Sequence, residues 1–292
     1  MSNPRNGALP AADVARILDN ARIPHVLFGW WAVGCHGVAK CTQEIDFVLP
    51  DNQIEAAANA LVATGHFHRC TDRHCFERTG DRSLRIQLEA DRTYPDAIYQ
   101  EFSKCNAVFA VAHDHLHLGS AYDYFKVVSL YAHSHLLWSL PEPTLDPLPS
   151  DSRTYMFTNN PQLPPRARDG SSGPWSELYP VKIPSHAALV EALFMLFCRD
   201  LGDPNELHET WLAMFQTTLG DFVDDACTLN DRMVALRRDI NPRWLPALDP
   251  FLFPNTCTTE LEADGLIRLR AGLLQNNELR DVPSHDLSDY DL

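Results

Sequence analysis

Glu44 and Asp46 stand two residues apart in the run Glu44-Ile45-Asp46-Phe47-Val48. On a β-strand, that spacing puts both carboxylates on one face, about 6–7 Å apart along the chain. Such a pair suits one or two hard divalent cations held through oxygen. Magnesium in turn suits phosphate oxygens, so the pair has the chemistry to organise in-line attack at a phosphoryl group. The pattern is weak in isolation, because charged side chains on a strand usually face solvent. A second constellation is His113, His115 and His117, which alternate on a candidate strand and turn three imidazoles to one face. Three imidazoles can bind zinc or copper. Divergence of successive side chains along a strand, and the lack of an evident fourth ligand, favour a partly exposed strand instead. Cys70 and Cys75, with His66, His68 and His74 nearby, form a local cluster without regular zinc spacing. The eight cysteines include no CxxC pair and read as scattered reduced thiols, several of them buried.

The elements that must position these residues follow from periodicity. Residues 11–22 predict an amphipathic helix closed by Pro24, and His25–Phe28 a short apolar strand broken by Gly29. Trp30–Gly37 is small and apolar and reads as a tight helical turn. EIDFVL alternates carboxylate and apolar residues, a strand with Ile45 and Phe47 opposite the acidic pair. Asp51 or Asn52 caps the next helix, which ends at Gly65. Short strands are expected over 66–70, 74–78, 83–90, 107–111 and 114–118, and a helix over 121–137. This interleaving predicts an α/β (α+β) domain with a mixed sheet over residues 1–140. Residues 141–184 hold 10 of the 21 prolines, so regular structure is interrupted there and a linker or long surface excursion is expected. Helical patterns over 185–201, 205–219, 220–239 and 258–274 predict a helical domain over 185–276. The acidic end, 277–292, reads as a disordered tail.

The order of strand, glycine, short helix and acidic strand resembles the nucleotidyltransferase superfamily, which includes aminoglycoside, lincosamide and minimal nucleotidyltransferases. The resemblance is carried by Phe28-Gly29-Trp30-Trp31-Ala32, His36-Gly37, Lys40-Cys41-Thr42, Glu44-Ile45-Asp46-Phe47-Val48 and the helix ending in ALVATGHF. It is fairly specific over residues 10–70, looser to about 140, and absent as motif beyond. It implies transfer of a nucleoside monophosphate from ATP or another nucleoside triphosphate to a small-molecule hydroxyl, with pyrophosphate leaving. In that scheme Glu44 and Asp46 hold Mg2+, and a third carboxylate from a later strand activates the acceptor. Glu89 is the candidate, unless the register sets Gln87 opposite the pair instead. Gly29, Trp30, Lys40, Thr42 and Lys126 would bind the nucleotide, Lys126 from the helix after the sheet. Three letters depart from the pattern. Trp30 stands where Gly or Ser is usual, Glu44 replaces Asp, and Lys40 replaces Arg and so loses the bidentate fork. These departures motivate an alternative, the same fold without nucleotidyl transfer, as a binding protein or with a cleft reused for another small molecule. A toxin–antitoxin-like module is a third, weaker option. His36, Trp30 and Trp31 also read as packing residues.

Composition limits the partners. The chain has 292 residues and a formal net charge of −15, shared unevenly. Residues 1–140 carry 12 Lys+Arg against 15 Asp+Glu, and residues 141–292 carry 12 against 24. An acidic second half repels phosphate backbones, so no nucleic-acid partner is expected. No apolar run approaches the roughly 18 residues of a membrane span, and the first residues lack the order of a signal peptide. A cytoplasmic location with a small-molecule substrate is the expectation.

Overall fold

The structure, a computed structural model, describes residues 8–37, 44–71, 113–118, 127–149, 151–165, 174–202, 207–219, 231–252 and 259–280. Helix α1 (Leu9–Asn20) leads into strand β1 (Val26–Leu27), the short helix α2 (Gly29–Cys35), strand β2 (Glu44–Leu49) and helix α3 (Ile54–Val62). Strands β3 (Phe67–Arg69), β4 (His113–Leu118) and β5 (Val127–Ala132) complete a five-stranded sheet in the order β1-β2-β5-β4-β3. Strands β2 and β5 run parallel, and the other pairings are antiparallel. This is the mixed sheet that the interleaved periodicity predicts.

The sheet is covered on both sides. Ile45, Phe47 and Leu49 of β2 meet α1 and α3 in one core, together with Phe67, Leu116, Val128 and Leu130. Each such side chain contributes roughly 1.5–3 kcal/mol through apolar burial. Val48, Tyr131, Phe28 and Trp30 lie in a second core shared with the C-terminal helices. All six residues of β2 are therefore buried, although its sequence alternates as a strand with one wet face does.

The C-terminal half is helical, as expected. After the short helix α4 (His133–Leu136) come α5 (His186–Asp200), α6 (Leu207–Leu219), α7 (Asp231–Asp239), α8 (Leu245–Leu252) and α9 (Thr259–Gln275). Ser185 caps α5 by accepting from the Ala188 amide, the usual role of a serine at that position.

One expectation is corrected, and two further stretches gain detail. Residues 127–132, placed in a helix over 121–137, form β5, and among the described residues of that stretch only 133–136 are helical. A central strand is apolar on both faces, so Val127-Val128-Ser129-Leu130-Tyr131 lacks the alternation that marks an edge strand. The proline-rich stretch contains a small antiparallel pair, β6 (Tyr155–Phe157) and β7 (Lys182–Pro184). Its Leu163, Trp175, Val181 and Ile183 are buried in the first core, so its described residues are packed rather than a free linker. The start of the acidic end is also docked. Arg243 donates to Glu278 at 2.6 Å, and Trp138 Nε1–H donates to the Glu278 carbonyl at 3.0 Å. Among the described residues no helix is long and apolar enough to cross a membrane.

Candidate active site

The turn before α2 shapes the site. Gly29 adopts φ +62°, a left-handed conformation that side-chain-bearing residues rarely tolerate. A Cβ on Gly29 would run into the carboxylate of Asp46, so the glycine supplies both the turn and the space. The Phe28 amide donates to the Asp46 carbonyl at 2.9 Å, closing the chain against β2. Trp31 Nε1–H donates to the Glu44 carbonyl at 2.8 Å. The first turn of α2 thus grips the backbone of both acidic residues.

Glu44 is 8% exposed and Asp46 5%, which excludes a solvated strand face. Two like charges in such a place oppose each other's ionisation. Burial, and then the neighbouring Glu44 charge, push the Asp46 carboxyl well above the usual carboxylate range. A divalent cation between the two would reverse that balance and hold both as carboxylates. The donor set, two carboxylates on one face beside a residue with no side chain, fits a hard cation.

The register places further residues beside the pair. Glu44 and Asp46 lie opposite Val127 and Ser129 of β5, and these lie opposite His117 and His115 of β4. Directly opposed residues share a face, so Asp46, Ser129 and His115 form a row across the sheet. Ser129 is fully buried, and its Oγ has no hydrogen-bond partner among the described residues. On β5 the residues that share the face of the acidic pair are Val127, Ser129 and Tyr131, none of them acidic. Sequence reading missed Ser129 because β5 was assigned to a helix.

Of the nucleotide-binding candidates, Gly29 adjoins Asp46, and Trp30 is buried in the core against the C-terminal helices. Lys40, Thr42, Gln87, Glu89 and Lys126 lie outside the described residues, as do Cys75, His74 and the strands expected over 74–78, 83–90 and 107–111.

Behind the site, the His36-Gly37 dipeptide forms a joint. His36 Nε2–H donates to the Pro184 carbonyl at 2.9 Å, and its ring stacks on that of His186, with centroids 5.1 Å apart. His186 Nε2 lies 3.2 Å from the Thr218 carbonyl, to which Arg232 also donates at 3.2 Å. Gly37, at φ +114°, leaves room for Arg232 and Pro164. Burial is the main cause that lowers the His36 pKa to about 4 and that of His186 well below its ordinary value. His36 is thus the packing residue its context suggests. His186 and Arg232 carry no motif that would single them out.

No protein-family model and no curated protein sequence matches the chain. Solved structures that resemble it include two of one protein. One is the solution structure of the antibiotic-resistance factor ANT(2'')-Ia, at 11% identity and a TM-score of 0.35, covering 91% of this chain and 89% of that one. The other is the crystal structure of ANT(2'')-Ia in complex with adenylyl-2''-tobramycin, at 11% identity and a TM-score of 0.36, covering 90% and 94%. Likeness at this level does not decide what the chain does.

Proposed function

We propose that the protein is a magnesium-dependent nucleotidyltransferase that moves a nucleoside monophosphate from a nucleoside triphosphate to the hydroxyl of a small molecule. The observation that carries the reading is the buried pair Glu44 and Asp46, on one face of β2 and directly behind the left-handed turn at Gly29. Glu44 and Asp46 would hold the cation. Bound there, it would supply charge neutralisation for the triphosphate. The chain's own residues do the positioning. Trp31 and Phe28 fix the backbone on which the carboxylates ride, and Gly29 keeps the space beside Asp46 clear. Glu89 is the proposed acceptor base, and Lys40, Thr42 and Lys126 the proposed triphosphate contacts.

The test is calorimetry with magnesium and each common nucleoside triphosphate, followed by pyrophosphate release over a panel of hydroxylated small molecules. Binding of one triphosphate only in the presence of magnesium supports the reading. Absence of binding to all of them overturns it.

One observation favours a second reading, a nucleotidyltransferase scaffold that no longer transfers nucleotides. The strand paired with β2 offers Ser129, not a carboxylate, beside Asp46. On this reading Glu44→Gln and Asp46→Asn leave function intact. Loss of function in either variant, with folding unchanged, counts against it.

A further inference from the structure

We propose that Cys70, His115 and His117 form a zinc site on the same face of the sheet as the acidic pair, distinct from Glu44 and Asp46. In sequence the histidines and the cysteine lie some 45 residues apart and belong to two separate weak patterns. Strand pairing unites them. His68 lies opposite His117 and Arg69 opposite Leu116, so the next pair along is Cys70 with His115, where the Cys70 amide donates to the His115 carbonyl at 3.4 Å. Two imidazoles on one strand diverge and make a poor site by themselves. The thiol arriving from the neighbouring strand supplies what they lack.

The geometry suits a small soft-tolerant cation. The ligand atoms of the three residues lie within 4.8 Å of one another, and the two imidazole centroids are 5.3 Å apart in an edge-on arrangement. In a tetrahedral zinc site, Zn–S of about 2.3 Å and Zn–N of about 2.0–2.1 Å set ligand–ligand distances of roughly 3.4–3.6 Å. Closing the remaining ångström or so is within the reach of side-chain torsions. A thiolate with two imidazoles selects zinc over magnesium, which prefers oxygen. On binding, the S–H bond of Cys70 gives way to an S–Zn bond and the proton leaves to solvent. Cys70 and His115 are buried and His117 is half-buried, so among the described residues three protein ligands come together and a fourth position is left for water or another ligand.

The location gives the site its interest. Asp46, Ser129 and His115 run in one row across β2, β5 and β4, and Cys70, the residue after β3, continues it. Strands stand about 4.8 Å apart, so His115 and Asp46 are separated by roughly 10 Å. A hard-cation site and a soft-cation site would then share one floor.

The experiment is metal analysis of the full chain after dialysis against zinc and then against zinc-free buffer, with cobalt(II) substitution as the spectroscopic readout. One zinc per chain is expected, with a thiolate-to-cobalt charge-transfer band and strong visible absorption of tetrahedral cobalt. Cys70→Ser removes the charge-transfer band, and His115→Ala weakens zinc binding at least about tenfold. The double variant Glu44→Gln/Asp46→Asn keeps the metal. Alkylation of wild-type protein, mapped by mass spectrometry, gives a readout that needs no variant: zinc protects Cys70. Overturning results are no retained zinc, an unprotected Cys70, a cobalt spectrum without the thiolate band, or loss of zinc from the carboxylate double variant. The outcome is independent of nucleotidyl transfer, which is measured separately with magnesium.

Discussion

The two carboxylates of β2 are buried side by side, where the Asp46 carboxyl is pushed well above the usual carboxylate range, and Gly29 leaves the space beside it. Gly29→Ala must leave the left-handed region or displace Asp46, at a cost of about 1–3 kcal/mol, read as a lowered denaturation midpoint. Activity should fall further than stability, because the added methyl occupies the space beside the acid. Asp46→Asn behaves oppositely on the two axes. It removes a carboxyl whose ionisation burial and Glu44 both oppose, so the metal-free protein should gain about 0.5–2 kcal/mol in chemical denaturation near neutral pH. Nucleotidyl transfer should drop by about two to three orders of magnitude in a pyrophosphate-release assay. A variant that lost stability and kept activity would contradict the assigned role. At this scale much was legible in the letters. Glu44-Ile45-Asp46-Phe47 alternates, and the structure sends Ile45 and Phe47 into the core on the opposite face. Trp30 reads both as a nucleotide contact and as a packing residue, and the letters alone do not choose. An aromatic after a glycine suits a cleft wall or a core equally well, and only the packing of the C-terminal helices against it decides for the core.

Among the elements, α5 is tied to its neighbours by a buried charged knot at its C-terminal end. Arg199 donates to Asp200 through two nitrogens, the longer contact being 2.7 Å, and also to the His135 carbonyl. Trp211 Nε1–H of α6 donates to Asp200 at 2.7 Å. Asp200→Ala leaves a buried guanidinium without its counter-charge, and about 3–5 kcal/mol should be lost in urea denaturation. Asp200→Asn keeps an acceptor for Trp211 and should lose less. The knot joins α4, α5 and α6, so its loss should loosen the helical half first, which hydrogen exchange can resolve. Adjacent Arg-Asp is uninformative in a sequence, because such pairs are usually surface pairs of little energetic value. Strand β5 was illegible for a different reason. Its two buried faces erase the alternation that identified β2, and it continues without a breaker into the helical 133–136. The cross-strand meeting of Cys70 with His115 and His117 depends on a register that no local pattern encodes.

Over the whole molecule, the sheet domain and the helical half meet at the stacked imidazoles of His36 and His186. Both are held neutral, mainly by burial. Their ordinary value is 6.5, and in the folded chain His36 titrates near 4. Between these limits the unfolded chain binds protons that the folded chain refuses. Stability is therefore full above about pH 6.5 and falls as the pH drops toward 4, by up to about 1.4 kcal/mol per pH unit for each histidine. His36→Gln, which retains a donor for the Pro184 carbonyl, should flatten that slope by one such increment when urea midpoints are compared at pH 7 and pH 5. An unchanged slope would remove His36 from the account. The same contacts bear on motion. A rocking of the helical half against the sheet would slide apart the two desolvated rings of His36 and His186, so the stacked pair resists that motion. Pyrophosphate release by the proposed transferase should then be insensitive to a cross-link placed over the joint.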